Sequence, residues 1–369
     1  MTTRIAALLT FLAVGLVPAV GCATAGGTAS AMDVGPVSSA DQESPAYLYV
    51  TNQSSASISV IDMETDELVE TVDLQALGFT ANAKPHHVVV EPDGSHWYVS
   101  LIADGYVLKF SRDNELVGRA AFETPGLMAL DRSSDLLYVG RSMAAVNPPQ
   151  RIGVIERSTM EIDEIDVFIA RPHAILVTPD GGHVYTASLA TNDVVVYQPD
   201  SGETELLQIP GDAAHPHTFV QFALSPDGRR LIVDGEMTGK LLVMDATQPT
   251  TIPVVETVDV AAAPWHPVFS PDGSRLYFGN NRADVVTVVD TSDWSVERTI
   301  EHERFAEPHG IALSPDGSKQ YVGNRNATPA SEGAAPENGF VAVIDTTSGE
   351  VIRFIEVERY AAGMGTASS

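Results

Sequence analysis

The chain has 369 residues, enough for one large all-β domain or two smaller ones, and its 23 prolines and 29 glycines suit a core interrupted by many turns. Its 49 acidic residues against 21 basic ones give a formal charge of −28, and only Lys84, Lys109, Lys240 and Lys319 are lysines. A surface this negative repels phosphate backbones, which excludes nucleic acid as a partner.

In chain order, the first feature is a targeting segment. One positive charge in residues 1–4 precedes an almost continuous apolar run over 5–20, closed by the small residues of AVGC at 19–22. A run this short and so terminated reads as an export signal and not as a membrane span. Cys22 is the only cysteine, so no intrachain disulfide is possible. AVGC resembles the lipobox of bacterial lipoproteins. That resemblance implies a signal peptide over 1–21, lipidation of Cys22 and, with Ala23 next, attachment to the outer membrane on its periplasmic face. An ordinary signal peptide cleaved near residues 22–25 is the alternative. Residues 22–44 then form a flexible tether of small and polar residues, and the membrane is met through the lipid alone.

From residue 45 one unit returns every forty-odd residues. Tyr49-Val-Thr-Asn is matched at Tyr98, Tyr138, Tyr185, Ile232, Tyr277 and Tyr321. Five copies carry a Pro-Asp-Gly turn whose proline lies six residues upstream: Pro92, Pro179, Pro226, Pro271 and Pro315. Each unit holds four β-branched or aromatic runs separated by such turns, the pattern of an antiparallel meander. Seven four-stranded sheets make a seven-bladed β-propeller, all-β, over residues 45–369. Segment 300–314 aligns without a gap to 355–369, and the first unit lacks its inner strand. The 365–369 tail is therefore expected to supply the inner strand of the N-terminal blade, which aligns Met364 with His309, puts His309, Met364 and His86 in one contiguous arc and closes the ring.

These units resemble the YVTN-repeat (YncE-like) seven-bladed propellers and, more distantly, the lactonase-type propellers. The resemblance implies the fold and leaves the activity open, since propellers host many functions.

A histidine recurs just before the inner strand of several blades, so the repeat should return it to one mouth of the central channel. Around the ring the positions are Met364, His86, Gly126, His173, Val220, Trp265 and His309, with His87, His266 and His217 close by. Converging neutral imidazoles suit copper or zinc, and a thioether favours copper, which gives His86, His87, His266, His309 and Met364 as candidate metal ligands. The adjacent pair His86–His87 resembles the histidine-lined propeller of nitrous-oxide reductase. The plainer expectation is that duplication copied these histidines, which then satisfy backbone groups at strand starts.

Arg141, Arg282 and Arg325 follow second strands, where loops return to the same mouth. With His173 and His217 they are candidates for binding a small carboxylate or phosphate; pairing with surface acids is their ordinary alternative. The loops 142–150 and 326–338 are long enough to form a rim or lid. The His215-Pro-His217 segment resembles that of lactonase-type propellers, where a histidine would act as general base. The expected function is a binding propeller for a small ligand or metal ion, or for a protein partner, with a hydrolase or a copper-dependent redox protein as alternatives. A monomer is expected.

Overall fold

The computed structural model describes residues 46–328 and 337–367. The signal peptide, Cys22 and the tether lie outside the described residues, as does much of the second long loop. Among the described residues no helix is long and apolar enough to cross a membrane.

Seven four-stranded antiparallel sheets are present, each ordered from an inner to an outer strand. The inner strands are Ala361–Gly365, Pro85–Val90, Pro125–Leu130, Pro172–Val177, Phe219–Leu224, Pro264–Phe269 and Pro308–Leu313, taken as blades one to seven. Each touches the inner strand of the next blade, the last returning to the first, so they enclose a central axis.

The turns follow from residue chemistry. In the Pro-Asp-Gly turns the aspartate side chain accepts the backbone N–H two residues on, as Asp93 does from Ser95 and Asp316 from Ser318, and the glycine takes a positive φ. The recurring tyrosines lie buried between blades. Tyr49 stacks on Trp97 of the next blade at 4.7 Å, and Trp97 on Phe110 at 4.1 Å.

The closing strand is Ala361–Gly365, beginning four residues before the 365–369 tail expected to supply it. It pairs with Tyr47–Asn52, with Ala361 opposite Asn52 and Met364 opposite Val50. In blade seven the corresponding partner of Asn324 is Pro308. The counterpart of His309 is thus Ala362, and Met364 corresponds to Ile311. The gapless alignment fails because the connection into the closing strand, 357–360, is two residues shorter than that into blade seven, 302–307. Across the same seam the Tyr321 hydroxyl donates to Asp66 at 2.6 Å, and Lys319 pairs with Asp66 at 2.8 Å.

A Cβ on Gly363 would stand 2.1 Å from the carbonyl oxygen of His86 in blade two. Backbone there cannot yield as a flexible side chain would. Gly363→Ala should cost about 1–3 kcal/mol, a few degrees of melting temperature. Ending the chain at Tyr360 should abolish the cooperative transition. Calorimetry checks both, and an unchanged transition in the truncated chain would show that the ring closes without this strand.

Candidate functional site

In every blade the residue before the inner strand has a left-handed backbone: Tyr360, Lys84, Thr124, Arg171, Thr218, Ala263 and Glu307, with φ between 48° and 67°. Its carbonyl accepts a backbone N–H from the end of the second strand, for example Gln53 to Tyr360 and Arg325 to Glu307. Two or three residues into each inner strand the ladder slips by a bulge. A bulge re-aims side chains that regular alternation would send to opposite sides. The histidines occupy these bulges. They lie inside the inner strands and not ahead of them, as the sequence pattern suggests, and they are buried within the ring and not displayed at its mouth.

Five imidazoles form one axial cluster. Ring centroids are 6.4 Å apart for His86–His173, 6.1 Å for His86–His309, 6.3 Å for His87–His266 and 4.7 Å for His266–His309. The intervening blades make room: blade one offers Ala362 and blade three Gly126 at the equivalent position. His266 itself has a φ of 54°, a conformation that persists only where its surroundings hold it.

Hydrogen bonds fix several tautomers. His173 Nδ1 donates to the Arg141 carbonyl at 2.6 Å, and His86 Nδ1 donates to Gln53 Oε1 at 3.1 Å. His87 Nδ1 accepts the Met128 N–H at 3.2 Å. The Ala362 backbone engages His309. His86 Nε2, His309 Nδ1 and His266 Nε2 are left buried and unpartnered. Burial holds all five rings in the neutral form, His87 pushed down to about 3 and His173 to about 4, with His86, His266 and His309 well below the usual range. Arg325 adds its charge against protonation of His86 and His309.

Met364 lies two positions further along the axis than expected, lining the channel and packing with Leu48, Val341 and Ala312. Among the described residues no three His, Cys, Asp or Glu side chains are arranged to hold a metal ion.

The other candidates separate. Arg325 is at the cluster, over the rings of Trp265 and Tyr360 and 3.8 Å from Glu307. Arg282 is half exposed and pairs with Glu236 at 2.9 Å. Arg141 does not face the mouth: it is buried against the Phe122 ring, 3.2 Å from Glu164, and donates to the Glu123 carbonyl at 2.6 Å. His217 has both ring nitrogens occupied, by Thr238 at 2.8 Å and the Pro210 carbonyl at 3.0 Å. His215 is 82% exposed and pairs with Asp212. The loop 142–150 does reach the axis, where Met143 packs on Val220, Ala263 and Trp265.

Two residues escaped the sequence pattern. Gln221 occupies the position equivalent to His87 and His266, with Oε1 buried and unpartnered. Asp234, fully buried, accepts the bulge amides of Val220 at 3.2 Å and Gln221 at 2.7 Å, and burial raises its carboxyl to about 8. An aspartate where other copies read Thr51 or Ser100 was the available signal.

No protein-family model matches the sequence, and no curated protein matches it. Solved structures do. A functionally unknown protein from Desulfotomaculum acetoxidans superposes with a TM-score of 0.70 at 14% identity, covering 87% of this chain and 98% of its own. Kuenenia stuttgartiensis hydrazine synthase gives a TM-score of 0.60 at 19% identity, covering 76% of this chain and 87% of its own. At these identities the likeness is one of fold.

Two pH effects of opposite sign follow. A depressed imidazole stabilises the fold above about pH 6.5, its unfolded value, and that stability is lost as pH falls through the folded values of about 4 and 3 for His173 and His87. Each such group contributes up to about 1.4 kcal/mol per pH unit in that window. The melting temperature should drop steeply below pH 6.5, less so in His173→Gln; equal slopes would show that this ring titrates alike in both states. Asp234, with a raised folded pKa, stabilises fully below about pH 4, and its contribution fades as pH rises through about 8. Asp234→Asn keeps both accepted hydrogen bonds and should raise stability at pH 8 in urea titrations; a loss there would mean the carboxylate is needed as a charge.

Proposed function

We propose that this chain is a binding propeller that takes a small ligand at its axial imidazole cluster. The observation that carries the reading is the set of three unpartnered ring nitrogens, on His86, His266 and His309, buried within one chain of ring contacts. An unmet buried polar atom costs about 1–3 kcal/mol. A small ligand that meets them would recover that cost atom by atom.

Copper or zinc is the second reading. Neutral imidazoles are what such ions bind, and His86, His266 and His309 carry the unpartnered nitrogens that would serve as ligands. For the hydrolase alternative, the exposed His215 pairs with Asp212 and makes no ring contact with the cluster. The repeated Tyr-Val-Thr-Asn units support membership of the YVTN-repeat propellers, and the AVGC segment supports a lipid anchor at Cys22 in the periplasm.

The test is mass spectrometry of the full chain under non-denaturing conditions, paired with elemental analysis. A low-mass species should travel with the wild type and be absent from His86→Ala/His309→Ala. Stoichiometric copper or zinc would select the second reading, and an unliganded, metal-free wild type would end both.

A further inference from the structure

Beyond the imidazoles the channel opens into a cavity of about 560 Å3, running from His87 and His266 to the Pro-Asp-Gly turns at the opposite end. Its volume is that of a pocket for a small organic molecule. Val89, Leu130, Leu176, Leu224, Val268 and Phe269 line it and are only partly buried, so apolar surface faces the lumen.

The two ends differ. Pro179, Pro226, Pro271 and Pro315 at the far rim are exposed. On the side of the strand starts, Met143 packs onto Trp265, and Arg325 lies over Trp265 and Tyr360. A ligand therefore has its path from the Pro-Asp-Gly face.

The blind end selects the head group. His266 is buried, lines the cavity and has Nε2 unpartnered; Gln221 Oε1 beside the lumen is unpartnered too. Behind them, His86 Nε2 is a bare lone pair, because its Nδ1 carries the proton given to Gln53. His86 Nε2 and Gln221 Oε1 accept, while Trp265 Nε1, against His266 and His309, is an unpartnered donor, so the head group must both donate and accept, and a carboxylate or phosphate cannot donate. A cation would meet the charge of Arg325, which already acts on His86 and His309. A neutral hydroxyl meets both conditions.

We infer that the ligand is a slim apolar molecule with one neutral hydroxyl, its head against His266 and Gln221 and its tail along the channel, admitted through the Pro-Asp-Gly face. This rests on the reading that the imidazole cluster binds a ligand, and adds its chemical class and its route.

Calorimetric titration of the full chain with the straight-chain alcohols from butan-1-ol to octan-1-ol tests it, with the methyl ethers of the same alcohols as controls. Affinity should rise about fourfold per methylene, the transfer value of one buried CH2, and fall at least tenfold in the ethers. Ala129→Trp, which fills the lumen, should abolish binding, and His266→Ala should weaken it about tenfold. Leu224→Arg, which charges the wall, serves the same purpose should Ala129→Trp not fold. Affinity flat in chain length, ethers as tight as alcohols, or undiminished binding in the lumen variants would overturn the inference. A wild type that retains a low-mass species yet takes no alcohol would sink the class assignment alone; one that does neither would sink the binding reading with it.

Discussion

The geometry of the axis depends on one backbone hydrogen bond made once in each blade. A residue forced to positive φ ahead of the inner strand offers its carbonyl to the amide that ends the second strand. None of these seven residues is glycine. A left-handed conformation costs such residues free energy, so it persists only where its surroundings hold it. The hydrogen bond is what holds it here. It sets the angle at which each inner strand starts, and the bulge that follows turns the second and third residues toward the axis.

That backbone device is indifferent to side chain, which explains why the site can vary around a regular frame. The positions it delivers are filled by imidazoles in some blades and by Gly126, Val220 or Ala362 in others. Small residues in blades one and three are as much a part of the cluster as the rings, because they let His86 approach His309 on one side and His173 on the other. In three blades the polar demand of the bulge is met from the second strand, by Thr51, Ser100 and Asp234. Where that residue is an aspartate, burial keeps its proton on.

Much of this was legible in the sequence. Seven in-register units, six begun by tyrosine and one by Ile232, and five Pro-Asp-Gly turns define the blades because turn chemistry and strand alternation act locally. The recurrence of histidine at one position was likewise visible, and it does gather the rings on the axis. Other features are not local. A bulge leaves no residue signature, so the histidines read as lying just before the inner strands and not within them. The two-residue shortening ahead of the closing strand misplaced Met364. Arg141 looks like its counterparts Arg282 and Arg325 in sequence, and only the packing of blade three shows the Phe122 ring and Glu164 that engage it.

The seam of blade one has a consequence for biosynthesis. Thr51 bonds to Gly363 across 312 residues of chain, so six blades can form in order as the polypeptide emerges while the first waits with an unpaired edge. Loop closure over such a span is slow, and an unpaired edge invites misassociation in the interval. Maturation of the ring thus waits for the arrival of Gly365, and a chain cut short of that point would be an open, association-prone fan of sheets.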